Sequence, residues 1–192
     1  MESLDMMLKT LHLSGFKQQL VSLENQAIES SWSYREFLSA LCEHELAKRF
    51  QTRVSSWRRE SGLMVAKNLT NLNLEQYETS ITQTLRQLQG QVDWVEQANN
   101  VLLFGPSGVG KTHMAHALGL HLIDQGMRVK AFSAVNLVQQ LQTAKQALDL
   151  MGFMSKLDKY KLIIIDDIGY VKKTQAETQV LFEFIAHRYE SG

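Results

Sequence analysis

An α/β fold with a parallel sheet flanked by helices, preceded by an all-helical N-terminal region, is what this sequence predicts. Three observations carry the prediction. Residues 1 to about 90 place their apolar positions at helical spacing and contain no strand-like run. From Val101 onward, short apolar runs alternate with helix-length stretches. At the first junction between such a run and such a stretch, Gly105–Thr112 reads G-P-S-G-V-G-K-T, the phosphate-loop pattern G-x-x-x-x-G-K-[ST].

The elements divide into a helical domain over residues 1–67, a helical connector over 68–95 and an α/β region over 96–192. A short helix is expected over Leu4–Leu11 and a second over Phe16–Ile28. A third starts at Ser33, where Glu36 three residues on completes a capping box. Its early apolar positions are Tyr34, Phe37, Leu38, Leu41 and Cys42, and its later ones Leu46, Phe50, Val54 and Trp57. The two stripes fall on different faces, so either the helix bends near His44 or its halves pack against different partners. Ser61-Gly62 ends it. A polar connector, Asn68–Asn73, leads to a helix reaching about Gln89, and Gly90 and Asn99-Asn100 bracket the entry to the next element.

The α/β pattern then runs in order. A strand over Val101–Phe104 feeds the loop, and a helix over 112–125 leaves it, closed by Gly126. A strand over Arg128–Ser133 and a helix from Val135 to about Leu148 follow. Leu162–Asp167 reads L-I-I-I-D-D, an apolar run expected to form a strand buried on both faces. A helix from about Ala176 to Glu190 closes the series. Strands alternating with helices imply crossover connections and a parallel sheet.

The chemistry follows from residue types. Glycines let successive backbone N–H groups turn inward around phosphate oxygens. Gly105, Pro106, Ser107, Gly108, Val109, Gly110, Lys111, Thr112 and His113 are therefore the candidate ATP-binding residues. Lys111 can reach the β- and γ-phosphates, and Thr112 offers a hydroxyl to Mg²⁺ while opening a helix whose N-terminus favours anions. Pro106, the only proline in the chain, stiffens the loop. Two carboxylates end the strand that begins at Leu162, the position where ligands sit in open α/β sheets. Asp166 would hold Mg²⁺, and Asp167 would polarise the attacking water, with Lys111 as the other catalytic candidate.

Composition narrows the class. The 192 residues carry 20 basic and 20 acidic side chains, so net charge gives no argument for nucleic acid and any such argument must be local. No apolar run is long enough to span a bilayer and the N-terminus lacks signal-peptide features, which points to a cytoplasmic protein. Cys42 is the single cysteine and, on the apolar side of its helix, is expected to be a buried thiol. Lys48, Arg49, Arg53, Arg58, Arg59 and Lys67, with Phe50 and Trp57 interleaved, form a locally basic stretch whose arginines in particular could neutralise DNA phosphates. Its aromatics are read as core residues. Lys172 and Lys173, after the acidic turn, are weaker DNA candidates. His113, His116 and His121 are read as partly exposed polar side chains rather than metal ligands. Arg188 is read as a surface ion-pair residue rather than a catalytic finger.

Four ordered motifs carry a resemblance. S-Y-R-E-F-L at Ser33–Leu38, N-V-L-L-F-G-P-S-G-V-G-K-T-H at Asn100–His113, L-I-I-I-D-D-I-G-Y at Leu162–Tyr170 and L-F-E-F-I-A-H-R-Y-E at Leu181–Glu190 resemble the IstB-like transposition helper ATPases. That family is similar to the DnaC helicase loaders within the AAA+ class. The resemblance implies an ATP-hydrolysing protein that self-associates on double-stranded DNA and works with the cognate transposase of an insertion sequence. It leaves a helicase loader, or a nucleotide-binding module without turnover, as alternatives. The usual AAA+ ending Asp-Glu is Asp166-Asp167 here, with a shorter second side chain. The sequence ends at Gly192, before the family's sensor-1 strand, arginine finger and sensor-2 region, which makes a truncated form the expectation. In the family's sheet order the missing strand lies between the loop strand and the acidic strand. The sheet is therefore expected to be incomplete, either with that slot open or with the two strands paired directly.

Overall fold

The computed structural model describes residues 3–169 and 174–191. Lys172 and Lys173, and Tyr170 of the last strand motif, lie outside the described residues. The chain forms two compact units, Met1–Ser56 and Trp57–Gly192.

The first unit holds α1 (Leu4–Thr10), α2 (Ser14–Glu29) and most of α3 (Tyr34–Glu60). The capping box of α3 is formed: Glu36 accepts from the Ser33 backbone N–H at 2.7 Å, and Ser33 Oγ accepts from the Glu36 N–H at 3.3 Å. Hydrogen bonds to Ser33 hold the Glu36 carboxyl below its usual range. The α3 helix is uninterrupted. Leu8, Leu23, Leu41 and Val54 are the buried apolar side chains of this unit. Most of the early stripe of α3 is exposed, Tyr34 and Leu38 among it. Cys42 is exposed, not buried as its helical position suggested. Its neighbour Leu41 takes the covered position, because the packed face is narrower than the apolar stripe.

Glu45 explains how α2 meets α3. It is 5 % exposed and accepts from the N–H groups of Gly15 (2.5 Å) and Phe16 (3.4 Å), two of the free donors at the start of α2. Arg49 Nε donates to its other oxygen at 2.7 Å. The hydrogen bond from Arg49 holds the carboxyl below its usual range against the opposing effect of burial. The approach requires a glycine: a Cβ on Gly15 would meet Glu45 Oε2 at 2.7 Å and its Cα at 2.8 Å.

The second unit is the α/β body. It contains a 3₁₀ turn at Leu74–Gln76, then α4 (Thr79–Gly90), α5 (Asp93–Glu96), α6 (Lys111–Asp124), β1 (Val129–Ser133), α7 (Ala134–Gln146), α8 (Leu150–Leu157), β2 (Leu162–Asp166) and α9 (Gln175–Ser191). The two strands pair in parallel, from Val129 beside Leu162 to Ser133 beside Asp166. On one face Phe132, Ile163 and Ile165 pack with Leu137, Leu141 and Val138 of α7, Met154 and Leu157 of α8, and Val180, Leu181 and Phe184 of α9. On the other face Ile164 meets α6, where a Cβ on Gly119 would stand 2.9 Å from Ile164 Cδ1. The two layers explain the parallel sheet with helices on both sides.

Two expectations are corrected. Val101–Phe104 forms no strand: the segment carries no ladder, and Leu102 is 74 % and Phe104 87 % exposed. A strand needs a neighbour for its backbone groups, and among the described residues β2 pairs only with β1, so Val101–Phe104 and β2 do not pair directly. For the same reason β2 is only half-buried along its whole length rather than covered on both faces. The outer edge of β1 is occupied instead. Ala131 N–H donates to Ser61 O at 2.7 Å, and Gly62 passes so close that a Cβ there would lie 3.0 Å from Ala131 O.

Candidate nucleotide-binding site

The loop at Gly105–Gly110 turns through left-handed backbone. Gly108 has φ +85° and Gly110 φ +88°, values that side chains strain to adopt. Gly110 is the cap residue of α6, so the first free N–H groups of that helix open directly onto the loop. Lys111 Nζ donates to the carbonyls of Gly105 (3.0 Å) and Pro106 (2.7 Å), folding the ammonium over the loop. Residues Gly105–Val109 are exposed, and Gly110, Thr112 and His113 half-buried.

The position of Asp166 follows from strand alternation. Ile163 and Ile165 face the α7–α9 core, while Ile164 faces α6 at Gly119. Side chains two apart share a face, so Asp166 lies on the α6 side with Ile164. It stands near enough to His116, one turn before Gly119, to act on that imidazole electrostatically. The carboxylate therefore lies toward the N-terminal end of α6, the end that carries Thr112. Asp167 is exposed and left-handed (φ +59°), with its N–H donating to Asp166 Oδ1 at 3.0 Å. That bond fixes one carboxylate oxygen and leaves the other without a hydrogen-bond partner among the described residues.

Three histidines tie α6 to the chain before it. His113 Nε2 and His121 Nε2 donate to Asn68 O (2.9 Å) and Gln89 O (3.0 Å); a carbonyl can only accept, which places the proton on Nε2 of both rings. His116 is the reverse: its Nδ1 accepts from Met64 N–H at 2.9 Å, so that nitrogen is bare. His116 is 5 % exposed, not partly exposed as the helix pattern suggested, because the connector closes over it. Burial, then the charges of Lys67 and His113, lower its pKa against the opposing pull of Asp166.

Three of the basic candidates on α3 are engaged inside the molecule. Lys48 Nζ donates to Gln18 Oε1 at 2.8 Å, and Arg49 holds Glu45 and His12 O. Arg58 grips both carboxylate oxygens of Asp124 at 2.6 Å. Arg53 and Arg59 are exposed and unpaired among the described residues. Phe50 and Trp57 are half-buried. Arg188 is bound to Asp158 (3.4 Å) and Tyr160 O (3.1 Å). Among the described residues no group of three or more His, Cys, Asp or Glu side chains converges, and no helix is long and apolar enough to cross a membrane.

One residue beside the loop was missed in the sequence. Tyr77 places its hydroxyl against Gly110, in the space a Cβ on that glycine would fill. The only local signal was an aromatic just after an Asn-capped turn in an otherwise polar connector.

The sequence matches known proteins over nearly its whole length. The chain is 40% identical over 187 residues to an insertion sequence ATP-binding protein of Sinorhizobium fredii, covering 97% of this chain and 63% of that protein. It is 32% identical over 192 residues to the insertion sequence IS21 ATP-binding protein of Pseudomonas aeruginosa, covering 100% of this chain and 72% of that one. A relative from Geobacillus stearothermophilus, the insertion sequence IS5376 ATP-binding protein, is 29% identical over 180 residues. The chain thus spans under two thirds of the first relative's length. The profile of the family described as IstB-like ATP binding protein covers residues 6–192, and the chain belongs to that family.

Proposed function

We propose that the chain binds ATP with Mg²⁺ at Gly105–Thr112 and His113, as a DNA-associated helper of an insertion-sequence transposase. The observation that carries this reading is the glycine loop at the start of α6 with Lys111 folded over it; strand alternation, which puts Asp166 on the α6 side of β2, supports it. Backbone N–H groups of the loop hold the phosphates. Lys111 exchanges its two carbonyl partners for β- and γ-phosphate oxygens. Thr112 and Asp166 are oxygen donors of the kind Mg²⁺ takes, and their hydroxyl and carboxylate suit that ion. When bound, Mg²⁺ supplies charge neutralisation on the phosphates. Asp167, beside Asp166, accepts a proton from the attacking water where turnover occurs. His113 ties the helix start to the connector at Asn68 and so keeps the loop in register.

The names of the relatives support the insertion-sequence setting, and with it a transposase partner. Contact with DNA falls first to Arg53 and Arg59, the α3 cations with no internal partner among the described residues. Lys48, Arg49 and Arg58 add weaker positive potential, and Lys172 and Lys173 belong to the same proposal. Self-association on the DNA completes it. Binding without turnover is the second reading, favoured by the exposure of Asp167.

Titration of the purified chain with a fluorescent ATP analogue and Mg²⁺ tests the reading. The parent binds saturably, and Lys111→Ala weakens binding by about a hundredfold, the loss of a charged contact to phosphate. Equal affinity in the two proteins overturns the site.

A further inference from the structure

The strand starts of the α/β body gather cations that the nucleotide site does not use. β1 and β2 run parallel, so Arg128 and Lys161, which precede them, lie at one end of the sheet. Asp166 ends β2 about 13 Å further along. Lys161 N–H donates to Arg128 O at 2.8 Å and ties the two approaches together. Arg128 and Lys159 both stand over the buried ring of Tyr160, at 5.2 and 5.1 Å from its centroid. Arg128 Nη2 donates to Glu60 Oε2 and Lys130 Nζ to Glu60 O, each at 2.5 Å. The covered Nε–H of Arg128 has no acceptor among the described residues. Lys159 and Lys161 are exposed and form no ion pair among the described residues. Four basic side chains thus share this margin with Glu60, while Asp158 beside them is bound by Arg188 and His187.

A local excess of positive charge on a rigid frame attracts polyanions, although the chain as a whole is neutral. Two features favour a nucleic acid over an acidic polypeptide. Tyr160 and Phe132, the rings beneath these cations, are buried, so the margin offers charge without the exposed aromatic anchors that protein partners use. Arg59, exposed and next to Glu60 in the chain, is already proposed for DNA, and the margin continues from it. We propose that the strand-start margin of the α/β body, through Lys159, Lys161 and Arg128, contacts the phosphate backbone of duplex DNA without reading its sequence. The guanidinium of Arg128 has the planar fork that grips a phosphate with two hydrogen bonds, and a phosphate supplies the acceptor its Nε–H lacks. This inference rests on the reading that the chain is DNA-associated, and it adds a surface beyond α3. It places DNA and nucleotide at opposite ends of β2, where neither occupies the other's place.

Salt-dependent binding of two unrelated duplexes by the full chain tests the surface. The parent is compared with the pair Lys159→Gln and Lys161→Gln, and with the pair Arg53→Gln and Arg59→Gln. The lysine pair is exposed, so its loss leaves the melting temperature unchanged. It weakens both duplexes by the same factor, about tenfold, the scale of two exposed charge contacts. It also lowers the slope of log affinity against log salt by about 1.8, the counterions of two phosphates. If the lysine pair binds with the parent's affinity and slope while the arginine pair loses both, DNA lies on α3 alone and the inference is wrong. Unequal weakening of the two duplexes overturns it as well, because the surface then reads sequence. So does poly-glutamate that competes as well as DNA at equal charge and loses as much affinity in the lysine pair; the margin is then a site for an acidic protein. A parent that binds neither duplex overturns the DNA reading and the inference together.

Discussion

Gly15 is the residue on which the first unit turns. Its missing side chain lets the backbone of α2 come down onto Glu45, and the carboxylate then serves donors that would otherwise be stranded at a helix start. Gly15→Ala forces either Glu45 or the start of α2 to move, and overpacking of this kind costs about 2 kcal/mol. Urea unfolding of the variant should show that loss. A variant as stable as the parent would mean the helices shift freely at this contact. The basic stretch illustrates the same point about single residues. Spacing alone shows five cations from Lys48 to Arg59, yet Arg49 and Arg58 are spent on Glu45 and Asp124, partners 4 and 66 residues away. Short-range patterns such as Ser33 with Glu36 were legible in the sequence because every participant lies within one turn. The partner of Arg58 was not, since nothing near Arg58 names Asp124.

At the scale of elements, α6 is the part that holds the site together. His113, His116 and His121 reach three different backbone groups of the preceding chain, and they do so with opposite proton demands. His113 and His121 donate through Nε2, whereas His116 accepts at Nδ1. Its pKa is lowered from 6.5, so the folded state binds fewer protons there than the unfolded chain. The stability this provides is present above pH 6.5 and is lost as pH falls from 6.5 toward the lowered value. Chemical unfolding at pH 7.5 and at pH 5 should therefore show a loss in the parent that His116→Gln, which keeps an acceptor and does not titrate, lacks in part. Equal pH dependence in both proteins would remove His116 from the account. The helices themselves were legible from periodicity and end signals: α2, α3, α7 and α9 lie close to their expected limits, and Gly126 follows α6 as expected. The helix α8 was missed because its eight residues, with Gly152 inside, leave too little periodic signal. The strand expected at Val101–Phe104 failed for another reason. Its apolar run is real, but a strand is a property of a pair, and its neighbour is not among the described residues.

Across the whole molecule the exposed apolar surface is unevenly placed. Leu102 and Phe104 stand out beside the loop, and β2 offers an unpaired edge among the described residues. Such surfaces favour pairing with another chain. Light scattering on the 192-residue protein should show apparent mass rising with concentration, and Leu102→Lys should weaken that association about tenfold, the scale of one buried leucine exchanged for a charge. Concentration-independent mass in the parent would refute this.

The hydrogen bond from Ala131 to Ser61 has a wider consequence. With that margin obstructed at Ala131, the open edge of the sheet among the described residues is that of β2, the strand that ends in Asp166, and a further strand joins there. Sheet extension and completion of the wall around the acidic end are then a single thermodynamic event. By reciprocity, an ion or nucleotide that favours the ordered acidic end strengthens the docking of a new strand, and a docked strand raises affinity for the ligand by the same factor.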